Sequence, residues 1–358
     1  MAMSTIPVTI LTGFLGAGKT TLLKRLLADP RFSDTAVVIN EFGEVGLDHM
    51  LVEAAPEAII EMTSGCLCCT VRGDVRRTLV MLMERSERGE IPLFSRLVIE
   101  TTGLADPAPV IHTLLLDPRL ARRYRLAQVV TVVDAVNGPS TLDKQPEALK
   151  QAAVADRLLV SKTDLLKAGE ADAVFERLRS VNPGAVIADA GAADFDLRSI
   201  VDDTVTFRPD MKPANVRAWL AAEAVEVQHA HHHDHEQHHH HDHHHHDVTR
   251  HSEDIRSFSL VIDQPISRMA FAMAMQLLTA NQGEDLLRVK GIVKLAEDPT
   301  RPVVIHGVQH ILHDPVYLDA WPDDDHRTRL VFITRNIPKE TIDGFFRAWA
   351  QASVPGEA

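Results

Sequence analysis

The chain has 358 residues, 45% of them apolar and 24% charged, enough for two domains with separate buried cores. Its formal net charge of −13, with histidine neutral, excludes a nucleic-acid backbone as the main partner. No apolar run approaches the roughly 18 residues needed to span a bilayer, and no basic segment precedes the first apolar run, so the sequence reads as cytoplasmic, with no signal peptide and no membrane partner.

Over residues 1–210, short apolar runs alternate with amphipathic segments. Strands are predicted at 8–12, 36–40, 96–100, 129–134, 157–161 and 185–189, and helices at 20–28, 73–88, 108–115 and 171–180. This alternation predicts an α/β fold, a mostly parallel sheet with helices on both faces. Residues 229–251 differ: they hold 14 of the 20 histidines, interspersed with Asp and Glu, and show no apolar periodicity. Residues 211–255 are therefore predicted to be a linker containing a disordered His-rich tract. Order resumes over 256–352, with strands predicted at 257–262, 286–295, 303–308 and 329–334 and helices at 267–280 and 339–350, a smaller α+β domain.

Residues 13–20 read GFLGAGKT, which satisfies G-x-x-x-x-G-K-[ST] between an apolar strand and a helical pattern. Gly13, Gly16 and Gly18 let backbone N–H groups, from Ala17 on to Thr21, gather around phosphates at a helix N-terminus. Lys19 is expected to reach the β- and γ-phosphates and Thr20 to ligate Mg²⁺. In LVIETTG a strand ends in Glu100, placed to hold Mg²⁺ through water, and the Gly103 N–H follows to sense the γ-phosphate. In LLVSKTD another strand ends in Ser161-Lys162-Thr163-Asp164. The Asp164 carboxylate can accept from N1–H and the 2-amino group of guanine, donors that adenine lacks, and the Lys162 stem flanks the base. The nucleotide is therefore expected to be GTP, and the catalytic set Lys19, Thr20, Glu100 and Gly103. Ser161 departs from the asparagine that usually opens this motif, and no glutamine stands in an obvious place to position the attacking water.

The three cysteines, Cys66, Cys68 and Cys69, fall within one run, SGCLCC. A disulfide framework would scatter them, so the cluster points to metal or redox chemistry in a reducing compartment. Three thiolates suit Zn²⁺ and similar ions and leave a fourth position open. Glu41, after the second strand, is a metal ligand, a Mg²⁺ contact or a loop acid. Thiolate chemistry does not by itself separate Zn²⁺ from Co²⁺. The histidine tract reads as a metal-buffering loop, since neutral imidazoles collect several divalent ions without choosing among them. His112, His306, His310 and His313 lie in folded-looking segments and read as ordinary polar residues; His49 is undecided.

In this order, GFLGAGKT, NEFGEVGLD, SGCLCC, IETTGLADPAPV and SKTD resemble the CobW-type metallochaperone GTPases of the SIMIBI class. The likeness continues in Lys290-Gly291, Gly307-Val308-Gln309 and the RLVFI run at 329–333. The resemblance implies GTP hydrolysis coupled to delivery of a metal ion, held at Cys66, Cys68 and Cys69 with Glu41, to a target metalloprotein. The wording ETTGLADP is closer to the zinc-transferring branch, which makes Zn²⁺ the expected cargo; cobalt delivery for cobalamin synthesis is the alternative within the family. A passive His-rich zinc store is the alternative of another class. The C-terminal domain is expected to dock the acceptor or a second copy of the chain as a homodimer.

Overall fold

The computed structural model describes residues 5–41, 59–63, 71–167, 169–201 and 255–352. The chain separates into two units, Met1–Phe207 and Arg208–Ala358. The predicted histidine tract, His49, Cys66, Cys68 and Cys69 lie outside the described residues.

In the first unit, β1 (Ile6–Thr12), β2 (Thr35–Glu41), β3 (Ile59–Thr63), β4 (Arg96–Thr101), β5 (Tyr124–Asp134), β6 (Arg157–Ser161) and β7 (Val186–Asp189) form one sheet. Their order is β3-β2-β4-β1-β5-β6-β7, and every described pairing is parallel. Helices cover both faces of such a sheet, so its central strands are continuous apolar runs; all five residues of β6 are buried. The helices are α1 (Lys19–Leu27), α2 (Val71–Glu87), α3 (Ala108–Leu116), α4 (Pro118–Ala121), α5 (Gly138–Lys144), α6 (Pro146–Val154), α7 (Asp172–Val181) and α8 (Arg198–Val201).

The α/β fold with a parallel sheet is as the sequence predicts. Four details differ. β3 is an additional strand beside β2. β5 begins at Tyr124, well before the expected start at 129, because Gln128 turns its amide onto the carbonyls of Ser199 (3.2 Å) and Ile200 (3.0 Å) and so lies buried within the strand. α4 to α6 fill the expected loops on either side of β5, and α8 follows β7.

The second unit is a six-stranded antiparallel sheet: β8 (Ile255–Ile262), β9 (Leu286–Val293), β10 (Val303–Val308), β11 (Ile311–Leu312), β12 (Val316–Tyr317) and β13 (Thr328–Arg335). Residues at alternate positions, such as Phe258, Leu260, Val289, Val293, Leu330 and Phe332, share one core with α9 (Arg268–Gln282) and α10 (Lys339–Ala352). Phe332, stacked on Phe258 at 5.8 Å and tilted against Phe346 at 5.7 Å, joins sheet to helix at the centre of that core. Among the described residues no helix is long and apolar enough to cross a membrane.

Candidate functional site

The carboxyl ends of β1, β4, β5 and β6 converge on the loop at residues 13–20. Gly13, Gly16 and Gly18 adopt φ of 138°, 73° and 96°, conformations open to glycine at little cost. At Gly13 a side chain would also collide with the Val132 carbonyl of β5. Gly18 is the N-cap of α1, supplies no side-chain cap, and no acid lies in the first helical turn. The first turn of α1 thus has no side-chain cap and no acid, and the helix dipole favours an anion there. Lys19 Nζ, largely buried, donates to the carbonyls of Gly13 (2.8 Å) and Phe14 (3.3 Å), across the mouth of the same loop. Ala17 is buried under the loop, and Thr21 is exposed on the helix.

Thr20 Oγ1 donates to Glu100 Oε1 at 2.8 Å. Glu100 itself is buried at the end of β4, paired in register with Leu11 of β1 and Ile39 of β2. Thr101 Oγ1 donates to Thr12 Oγ1 at 2.8 Å, fastening the carboxyl ends of β4 and β1. Gly103 presses on the loop: a Cβ there would stand 2.6 Å from the Leu15 backbone nitrogen and 2.7 Å from its Cα.

Ser161 Oγ donates to the Ala17 carbonyl at 2.6 Å in a buried contact. The residue that departs from the usual motif thus ties β6 to the phosphate loop. Lys162, in the left-handed region at φ 61°, turns the chain out of β6 and bonds through Nζ to Asp134 Oδ2 at 2.7 Å. Asp134 also accepts from the Val136 and Asn137 amides (2.8 and 3.2 Å) and from Asn137 Nδ2 at 3.0 Å. Burial alone would raise its pKa, but the bonds from Lys162, Asn137 and the two amides outweigh that and hold the carboxyl below its usual value. Asp164 is exposed at the same turn. Beside it, Asp189 Oδ1 accepts from Thr163 Oγ1 (2.6 Å), Gly191 N (2.9 Å) and Ala192 N (3.1 Å), which packs the segment after β7 against the Ser-Lys-Thr-Asp turn. No sequence motif marks Asp134 or Asp189; each is an acid at the carboxyl end of a predicted strand, which is the available signal.

Glu41 is the last residue of β2, in register with Thr63, the last residue of β3. The SGCLCC run begins at the next residue, and α2 opens two residues after Cys69. Among the described residues no group of three or more His, Cys, Asp or Glu side chains is placed to hold a metal ion. The folded histidines behave as polar residues. His306 stacks on His313 with ring centroids 4.5 Å apart, and burial, with His313, Arg288 and Lys290 nearby, pushes its pKa well below the usual imidazole value. His310 Nδ1 lies 3.0 Å from the Thr279 carbonyl. His112 is buried in α3.

The family model described as "CobW/HypB/UreG, nucleotide-binding domain" matches residues 7–189, and "Cobalamin synthesis protein cobW C-terminal domain" matches residues 255–350. The chain belongs to the CobW family. Its first unit is a P-loop GTPase domain and its second a CobW C-terminal domain. Among CobW relatives, the chain is 33% identical over 344 residues to "Zinc chaperone YjiA" of Escherichia coli strain K12, covering 96% of this chain and 98% of that one. It is 28% identical to "Zinc-regulated GTPase metalloprotein activator 1" of Schizosaccharomyces pombe, covering 93% and 83%. The crystal structure of Zn(II)-bound YjiA GTPase from E. coli superposes with a TM-score of 0.67 at 29% identity, over 97% of this chain and 99% of that one.

Proposed function

We propose that this chain hydrolyses GTP to drive delivery of Zn²⁺, carried at Cys66, Cys68 and Cys69 with Glu41, to a target metalloprotein. The observation that supports the reading is the position of the strand that precedes the cysteine run. That strand, β3, ends at Thr63 and pairs with β2, and β2 pairs in turn with β4, which carries Glu100. Cargo segment and nucleotide carboxylate are thus anchored on strands separated by a single neighbour.

In this reading the N–H groups at Gly16–Thr21 and Lys19 hold the phosphates, and the Gly103 N–H meets the γ-phosphate. Asp164 reads guanine, Ser161 supports the loop beneath it, and the Lys162 stem, steadied by Asp134, flanks the base. A hydroxyl and a carboxylate in contact, Thr20 and Glu100, are a donor set that suits Mg²⁺, which neutralises phosphate charge when bound. GTP orders the connections leaving β2 and β4 and closes the thiolate site. Loss of the γ-phosphate releases them and opens it to a docked acceptor. Zinc in the relatives' names supports Zn²⁺, and none of those names supports Co²⁺. Residues 1–210 form the GTPase domain in this scheme, 211–255 a linker whose histidines buffer metal, and 256–352 the domain that docks the acceptor or a second copy.

Metal analysis of protein purified without metal-affinity resin tests the proposal, comparing wild type with C66A/C68A/C69A. A stoichiometric Zn²⁺ lost in the variant, and bound more tightly with a non-hydrolysable GTP analogue than with GDP, is expected. Retention of full zinc by the triple variant would place the cargo elsewhere, for instance on the histidine tract. Linkage requires the reciprocal result, with Zn²⁺ tightening the GTP analogue by the same factor.

A further inference from the structure

Two consecutive side chains of α6 grip the segment that follows Glu100. Gln151, 1% exposed, donates from Nε2 to the carbonyls of Gly103 (3.1 Å) and Ala105 (3.0 Å), and Lys150 Nζ pairs with Asp106 Oδ2 at 2.7 Å. Both amide hydrogens of Gln151 are thereby used, and its Oε1 is enclosed without a hydrogen bond among the described residues. Carbonyls on both sides of Leu104 fix which end of the amide faces the loop, because only the NH₂ end can donate. α6 is itself anchored. The Gln151 carbonyl accepts from Thr131 Oγ1 of β5 at 2.8 Å, and Asn182 Nδ2 caps the far end through the carbonyls of Ala152, Ala153 and Ala155 (2.9, 3.0 and 2.8 Å). On its other side the gripped loop touches the phosphate loop, Gly103 against Leu15.

We infer that Gln151 is a positioning residue for GTP turnover: it sets where the Gly103 amide stands relative to the γ-phosphate, with Lys150 as a second tether. The inference rests on the role given above to Gly103. Gln151 acts through the loop, since both its amide hydrogens are spent on the Gly103 and Ala105 carbonyls. In the reading above, the γ-phosphate, which GTP carries and GDP lacks, is the part of the nucleotide that meets this loop. Removing the tether therefore acts on GTP turnover and on GTP-analogue binding while leaving GDP binding alone.

The test compares wild type, Q151M, Q151E and K150M for turnover of GTP and for affinity toward GDP and a non-hydrolysable GTP analogue. Q151M keeps the length and loses both donors, and Q151E sets a carboxylate oxygen against two carbonyls. The expected result is a fall in kcat of about tenfold or more in Q151M, larger in Q151E and smaller in K150M, with GDP affinity unchanged. The ratio of analogue to GDP affinity should fall in the same order. Wild-type kcat in Q151M, or an equal loss of GDP and analogue affinity, would overturn the inference. If Q151M fails to fold, K150M, at a half-buried ion pair, decides on the same two readouts. A wild-type chain that hydrolyses no GTP would count against the GTPase reading, and the affinity ratio would still test the tether.

Discussion

Gly103→Ala is the most direct test of how closely the β4 loop and the phosphate loop must fit. The new methyl would stand 2.6 Å from Leu15 N and 2.7 Å from Leu15 Cα, both backbone atoms that no rotamer change can withdraw. To restore ordinary contact the two segments must part by about 1 Å, and a misplacement of that size costs on the order of 10² in rate. A hundredfold loss corresponds to about 2.7 kcal/mol of transition-state stabilisation. The overpacking itself should cost about 1–3 kcal/mol of stability. Single-turnover phosphate release from GTP measures the first quantity and thermal unfolding the second, while fluorescent-GDP binding should stay near wild type. Gly344→Ala is the control: it lies inside α10 with nothing within 4 Å of the added methyl, and should be neutral or stabilise by about 0.5–1 kcal/mol. If G103A turned over GTP at the wild-type rate with unchanged stability, the proposed fit between the two loops would be wrong.

Ser161→Ala removes the bond to the Ala17 carbonyl and leaves that acceptor enclosed. A loss of about 1–2 kcal/mol is expected, read as a Kd roughly 5–30-fold weaker for GDP and GTP analogue alike; a change confined to one of them would contradict a role in holding the loop. Asp134→Asn should loosen Lys162 and lower stability by on the order of 1 kcal/mol at neutral pH, modest because Lys162 is partly exposed. Since the folded pKa of Asp134 is depressed, its contribution is present above the unfolded value and lost as pH falls through the folded one. The gap between wild type and D134N in urea titrations should therefore be widest near pH 7 and close in acid below about pH 4; a gap that grows in acid would refute the pairing.

What could be read in the sequence follows from burial. β4 and β6 are enclosed on both faces and appear as unbroken apolar runs, and the phosphate loop declares itself because three glycines with positive φ and a lysine have few substitutes. β3 is hard to read because its apolar run, Ala58 to Ile60, is only three residues long before Glu61 interrupts it. α5, GPSTLDK, has no apolar stripe and α6 is only nine residues long, so neither stands out, although proline in the first turn of each is a usable mark. Missing α6 also hid Gln151, whose partners lie far off in sequence at Gly103 and Ala105. Ser161 looked like an impaired motif because the contact it makes, to a carbonyl of the phosphate loop, is invisible until the fold brings β6 under Ala17.

Among the described residues β3 ends the sheet on one side, and the segment between Thr63 and Val71 is held by that strand and by the 17-residue α2. On the proposed reading, the cargo-binding residues therefore fall between two fixed elements at the border of the sheet, away from the central strands that would handle nucleotide. If that reading holds, the thiolates could be exchanged for other ligands without disturbing Gly13–Thr20 or the turn that carries Asp164. Versatility toward different metals would then be a property of the sheet's border, with one engine in the middle able to serve many freights.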